Sequence, residues 1–295
     1  MERELWRWVS RALKRLPRWW PRGAVYDNRE VLAVLLLAAL HDRSILWASH
    51  RRNWPVQAWR RRLPDQSTMS RRLRDPRIQE DLLRLLMIVQ RNMETAYDDL
   101  IVDGKPLAVS EFSTDRDART GWGAGRYQMG YKLHALIAST RQLLAWEVHP
   151  MNTAECVVAQ DLLRTAHKLA LIPPGATLLG DPSYDTNPLH ETAAEVGAHL
   201  MAPRRKPQRS ISVSHRQHPG RLESIAVFEH DPESAADLKA RRGTIERYFG
   251  AMASAGGGLS TLPAWSRRLH RTRLWVGAKL VLNGAREALI APLAA

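Results

Sequence analysis

The chain has 295 residues, 44% of them hydrophobic and 25% charged, which excludes a disordered polyelectrolyte and fits one large or two ordinary domains. Lys and Arg number 44 against 30 Asp and Glu, a net charge of +14 that points to a polyanionic partner, nucleic acid first. A single cysteine, Cys156, excludes an internal disulfide or a cysteine-based zinc site, and the longest apolar run, residues 31–40, is about half of the roughly 20 needed to cross a bilayer.

The first 80 residues hold 18 Lys/Arg, 8 Asp/Glu and seven of the eleven tryptophans. They read as helical. Trp6, Trp8, Trp19 and Trp20 read as a helix-packing or interface stripe rather than base-stacking platforms. Residues 29–40 form a largely apolar helix with Asp27 or Asn28 as its N-cap. Residues 55–63 are a short basic amphipathic segment. Residues 64–74, PDQSTMSRRLR, follow with a second short helix, capped by Asp65 or Ser67 and presenting Arg71, Arg72 and Arg74. The pair over 56–74 is similar to a helix-turn-helix, whose second helix enters the major groove; a solvated basic face accounts for the same residues. Over 77–97, Ile78, Leu82, Leu85, Leu86, Val89 and Met93 recur at helical spacing. The sequence changes character near 98–100, which sets two domains: a helical DNA-binding region at 1–98 and a second domain at 99–295. With no apolar signal core before Val31, the expected location is cytoplasmic, associated with the nucleoid, without a membrane partner.

From residue 99 the order reads as three strands, helix, strand, helix, strand, helix: an α/β class with a mixed sheet flanked by helices. The strands are 100–102, 131–138, 143–149, 177–180 and 199–202. The helices are 154–171, 189–196, 232–252 and 266–289. Residues 203–221 carry six Lys/Arg and no acid and read as a surface loop.

Asp103 ends the run Leu100-Ile101-Val102, and Asp181 ends Leu178-Leu179-Gly180. Acids at the ends of buried strands reach the sheet edge where open α/β folds bind ligands. Gly104 and Pro182 are expected to break the strands there. Two carboxylates converge stably only if their repulsion is offset, and a divalent cation with hard oxygen ligands does that. A turn or helix cap is the plain alternative for either acid. Arg242 and Glu246, four apart, share one face of the late helix, beside an apolar stripe of Ile245, Phe249 and Met252. Taken alone they make a surface ion pair.

The segments IVDGKPLAV, GYKLHAL, LLGDPSYDTN and RRGTIERYFG, in this order, closely resemble bacterial insertion-sequence transposases with a DDE triad. The resemblance covers roughly residues 99–290. It implies an RNase H-like catalytic domain with Asp103, Asp181 and Glu246 as catalytic residues and metal ligands. It implies two Mg2+ ions, with Mn2+ able to substitute; Asp103 would contact both, Asp181 one and Glu246 the other. Two ions activate water, then a 3′-hydroxyl, and stabilise the leaving alkoxide in an in-line displacement. The implied activity is cleavage at element ends and strand transfer of 3′-ends. The implied partners are double-stranded DNA, as terminal inverted repeats and target, and a second copy of the chain in a homodimer. A non-catalytic DNA-binding relic and an RNase H-like nuclease without strand transfer are the rival readings.

Arg242 matches an arginine of the family pattern, and its planar fork suits a phosphate. That pattern often carries a Tyr and a Lys where this chain has Lys239 and Ala253; Lys239 still suits DNA. Alternation puts Lys132 and His134 on one face of their strand; the resemblance implies that Lys132 lies near the active site, and a half-exposed sheet face is the alternative. Arg204, Arg205 and Lys206, like residues 267–273, form basic clusters able to track phosphates. Asp185 is expected to cap or brace the chain. Asp115 and Asp117 are expected in a solvated loop, His215 and His218 as loop histidines without a metal, and Cys156 as a packing residue.

Overall fold

The structure, a computed structural model, describes residues 2–55, 62–91, 93, 96–207, 209, 211, 216–254, 258–259 and 262–290. The chain divides into two compact units, one of residues 1–93, 109–117 and 252–295, the other of residues 94–108 and 118–251.

The first unit is helical. It holds α1 (Glu2–Leu13), α2 (Asn28–Leu40), α3 (Ile45–Ala48), α4 (Gln66–Arg72) and α5 (Pro76–Gln90). Asp27 closes a capping box with Glu30 at the start of α2, as the N-cap reading expected. Every α2 residue from Val31 to Leu40 is buried, which is why its apolar run has no polar face. Asp65 caps α4. The first half of the helix-turn-helix reading, residues 56–61, lies outside the described residues. The same unit contains the C-terminal helix α10 (Leu269–Ile290), which packs on α5, α2 and α1. Gly284 lets it approach α5; a Cβ there would meet Leu86 Cδ1 at 3.0 Å. Asp115 is not solvated as expected, whereas Asp117 sits in the loop with its side chain 37% exposed. Asp115 is buried, and the two carboxylates accept the backbone N–H groups of Arg268 and Leu269 at 2.9 and 3.0 Å, capping α10.

The second unit is a mixed sheet with helices. Its strands are β1 (Asp99–Ala108), β2 (Arg119–Gly123), β3 (Arg126–Ala138), β4 (Leu143–Pro150), β5 (Thr177–Leu179) and β6 (His199–Met201). The strand order is β2-β3-β1-β5-β6, with β4 also paired to β3. β1, β2 and β4 each run antiparallel to β3, whereas β1-β5-β6 are parallel. Helices α6 (Glu155–Lys168), α7 (Asn187–Glu195), α8 (Pro219–His230) and α9 (Pro232–Ser254) complete it. The α/β class and the mixed sheet flanked by helices are as expected.

Three readings are corrected. Gly104 does not end the first strand, because β1 continues to Ala108 paired with β3. Pro106 is tolerated there because β5 pairs only with Asp99, Leu100 and Ile101. Strand β2, formed by a Gly-rich hairpin with β3, had no alternating apolar signal. Helix α8 starts inside the stretch read as loop, capped by His218.

The core under the sheet joins Leu100 and Val102 of β1, Leu136 of β3, Leu178 of β5 and the α6 residues Val158, Ala159, Leu162, Leu163 and Ala166. This packing fixes the end of the sheet from which the acids project.

Candidate active site at the sheet edge

Register places the two aspartates. Ile101 of β1 pairs in parallel with Leu179 of β5. Asp103 and Asp181 each lie two residues beyond that pair, so two adjacent strands, about 4.8 Å apart, deliver them at one level. A third acid joins them. Ligand oxygens of Asp103, Glu155 and Asp181 all lie within 4.8 Å of one another, the one such trio of potential metal ligands among the described residues.

Glu155 was not among the residues singled out from the sequence. It opens α6, where a carboxylate complements the positive end of the helix dipole. It continues the core-facing stripe of Val158, Ala159, Leu162 and Ala166 by one more turn, and so points at the sheet. That stripe, with an acid at its head just after a strand, was the available signal.

The surroundings hold the trio. Ser183 Oγ donates to Asp181 at 2.6 Å and lies 3.3 Å from Glu155 Oε2. The Asp181 carboxylate also accepts the Ser183 N–H, at 2.7 Å, and so caps the turn that follows it. Lys132 is buried and ion-paired with Glu155. Gly104 makes room for that pair, since a Cβ would stand 2.8 Å from Lys132 Cδ and 3.1 Å from Glu155 Cδ. Tyr184 is fully buried, and burial, followed by the three carboxylates, pushes its phenol well above the ordinary range.

Asp103 accepts the Gly104 N–H at 2.7 Å. Burial first, then the charges of Asp181 and Glu155, push its carboxyl up to about 7, against the pull of the Gly104 hydrogen bond and Arg242. Crowded carboxylates with hard oxygens and too few positive partners fit a divalent cation.

Glu246 stands elsewhere on this edge. Its side chain is 64% exposed and takes Arg242 Nη2 at 2.8 Å. Arg242 Nη1 is 3.7 Å from Asp103 Oδ2, so the guanidinium links Glu246 to the cluster. Helix α9 is braced by Arg241, whose Nε donates to Asp99 at 2.7 Å at the start of β1. A cavity of about 260 Å3 beside Asp181 is lined by Lys239, Arg242, Phe228 and Leu238. Asp185 is a brace, holding Arg221 of α8 through two hydrogen bonds of 2.6 and 2.7 Å.

The other basic residues divide. Lys239, Arg71, Arg74, Arg205 and Lys206 are exposed. Arg204 is held by Glu229 at 2.7 Å and by the carbonyls of Arg209 and Pro207. Arg72 is buried, donates to the Tyr26 carbonyl, and lies over the Trp19 ring at 5.3 Å. Lys132 faces Glu155 rather than solvent. His218 caps α8 and stacks on His190; His215 lies outside the described residues. No helix among the described residues is long and apolar enough to cross a membrane.

A family model described as a transposase DDE domain matches residues 94–283. Among solved structures, the cryo-EM structure of the piggyBac transposase synaptic complex with hairpin DNA is similar, with a TM-score of 0.51 over 100% of this chain and 74% of that one. Identity between the two is 11%, so that likeness bears on the fold alone. No curated protein matches the chain.

Proposed function

We propose, from the premise that this chain belongs to the transposase DDE domain family, that it cleaves DNA at the ends of its element and joins the 3′-ends to target DNA. The observation that carries this reading is the register-matched pair Asp103 and Asp181 with a third carboxylate alongside. The donor set fits magnesium: hard carboxylate oxygens, crowded and under-neutralised. When bound, such ions lower the pKa of water or a 3′-hydroxyl and stabilise the leaving oxygen.

Asp103 and Asp181 would hold the metal. Glu155 is the third donor favoured by the cluster geometry, and Glu246 the one favoured by the family motif. Lys132 positions Glu155, and Ser183 orients both Glu155 and Asp181. Arg242 and Lys239 would bind the phosphate of the scissile strand beside Asp181. Exposed Arg71, Arg205 and Lys206 would track DNA further out. The bound DNA would be duplex, as terminal repeats and target, with two copies of the chain bringing two ends together in the cytoplasm.

The test uses labelled supercoiled plasmid, magnesium, and the wild type against Asp181→Asn, a near-isosteric loss of one ligand charge. Nicking or joining by the wild type alone, with equal DNA binding by both, supports the reading. Equal cleavage by the variant removes Asp181 from the chemistry. Joining of a pre-cut 3′-end separates a transposase from a nuclease that only cuts.

A further inference from the structure

The turn Pro182–Tyr184 follows Asp181 directly and carries two hydroxyls, on Ser183 and Tyr184. Ser183 uses its own on Asp181 and Glu155. Tyr184 turns inward. Its backbone N–H returns to the Asp181 carbonyl at 3.0 Å, and its side chain is fully buried in the core it shares with Leu178 of β5 and Val158 and Ala159 of α6. Gly180 makes room for it, since a Cβ there would meet Tyr184 Cβ at 2.9 Å and ring carbons at 3.1 Å. The Tyr184 hydroxyl has no hydrogen-bond partner. A buried, unanswered hydroxyl is costly, and phenylalanine would fill the same space without it. Yet the charges that act on this phenol, after burial itself, are Glu155 first, then Asp103 and Asp181. These are the three residues of the carboxylate cluster. They raise the phenol's hold on its proton, so the hydroxyl stays a donor.

We propose that Tyr184 is a positioning residue of the metal site: when the trio holds a divalent cation, its hydroxyl donates to the Glu155 carboxylate and fixes the orientation in which Glu155 meets that cation. The inference rests on the reading of Asp103, Glu155 and Asp181 as metal ligands. Glu155 can take the extra donor. Lys132 holds Oε1 and Ser183 Oγ lies 3.3 Å from Oε2, whereas a carboxylate offers about four lone-pair sites. Tyr184 also differs in kind from the other two donors. Lysine reaches Glu155 on a flexible four-carbon stem, and Ser183 divides one hydroxyl between two carboxylates. The Tyr184 ring is locked by the core, so the place of its hydroxyl is set by the fold. A ligand carboxylate held by such an outer partner binds its metal about 10- to 100-fold more tightly than one without it.

The test titrates the full chain with Mg2+ in a calorimeter, without DNA, comparing wild type and Tyr184→Phe, and follows the unfolding of both in EDTA. Tyr184→Phe is expected to lower Mg2+ affinity by about 10- to 100-fold and to leave the midpoint in EDTA unchanged or raised, because it removes only an unanswered hydroxyl. A hydroxyl with a structural role alone would move the midpoint and not the affinity. A second readout needs no change at Tyr184: Mg2+ should perturb the ultraviolet absorption of a buried tyrosine in the wild type, and Glu155→Gln should abolish that difference spectrum. Equal Mg2+ affinity in wild type and Tyr184→Phe, or a wild type that binds Mg2+ with no tyrosine difference spectrum, overturns the role of Tyr184 and leaves the metal site standing. A wild type that binds no Mg2+ overturns that role together with the metal-site reading beneath it.

Discussion

Replacing Asp103 with Asn should stabilise the metal-free protein, and by an amount that depends on pH. Asp103 ordinarily titrates near 3.8, but in the fold burial and the Asp181 and Glu155 carboxylates push it up to about 7. The unfolded chain therefore releases this proton at lower pH than the folded one. Stability from this group is full below the unfolded value and is lost as pH rises to the folded one. At about 1.4 kcal/mol per unit, the whole loss is on the order of 4 kcal/mol by pH 8, of which roughly a third has already occurred at pH 5. The advantage of Asp103→Asn over wild type should thus be wider near pH 8 than near pH 5 by about 3 kcal/mol. For a domain of this size that is a difference of roughly 6–12 °C in midpoint. The assay is thermal unfolding in EDTA at both pH values, then with magnesium. Magnesium at about 100 times its dissociation constant adds about 2.7 kcal/mol to the wild type, and far less to the variant. Parallel pH profiles for the two proteins, or equal gains from magnesium, would refute the reasoning.

Other perturbations follow the same geometry. Gly104→Ala drives a methyl group into the Lys132–Glu155 pair; it should cost about 1–3 kcal/mol in denaturant unfolding and lower cleavage while duplex affinity is kept. Glu155→Gln should weaken magnesium binding by the DNA-free protein in calorimetry, whereas Glu246→Gln should leave that binding unchanged and remove cleavage. Asp185→Ala leaves Arg221 without its buried partner and should cost about 3 kcal/mol or more in urea unfolding, loosening α8. His134 is buried without a hydrogen-bond partner, and burial, then His149 and Lys132, pulls it down to about 3. Its neutral form is therefore stabilising above the unfolded value of 6.5, and that stability should drain as pH falls from 6.5 toward 3. His134→Leu should flatten that part of the acid-unfolding profile.

What the sequence discloses here is what local pattern encodes. Two apolar runs ending in aspartate are enough to place Asp103 and Asp181, because parallel pairing of Ile101 with Leu179 carries both to one level. Glu155 is less legible, since its meaning depends on α6 packing on the sheet. Asp115 and Asp117 are illegible as caps, because the N–H groups they accept lie some 150 residues downstream. Arg72 reads like its neighbours Arg71 and Arg74, and only the Trp19 ring and the Tyr26 carbonyl distinguish it. Glu246 is legible by motif, and its ion pair with Arg242 is the one that helical spacing predicts.

The two candidates for the third acid are each matched to a cation of their own. Lys132 holds Glu155 from inside the sheet, with its side chain 8% exposed. Arg242 holds Glu246 from the helix outside, at 25%. A backbone phosphate arriving at the sheet edge meets Arg242 and not Lys132, and a guanidinium shared between a carboxylate and a phosphate loosens its hold on the first. Under the proposed function, DNA would thereby free Glu246 as it brought the scissile bond to Asp103 and Asp181. Glu155 stays tied throughout. On this reasoning Glu155 would hold a metal before DNA arrives, and Glu246 would join in holding it once DNA is bound.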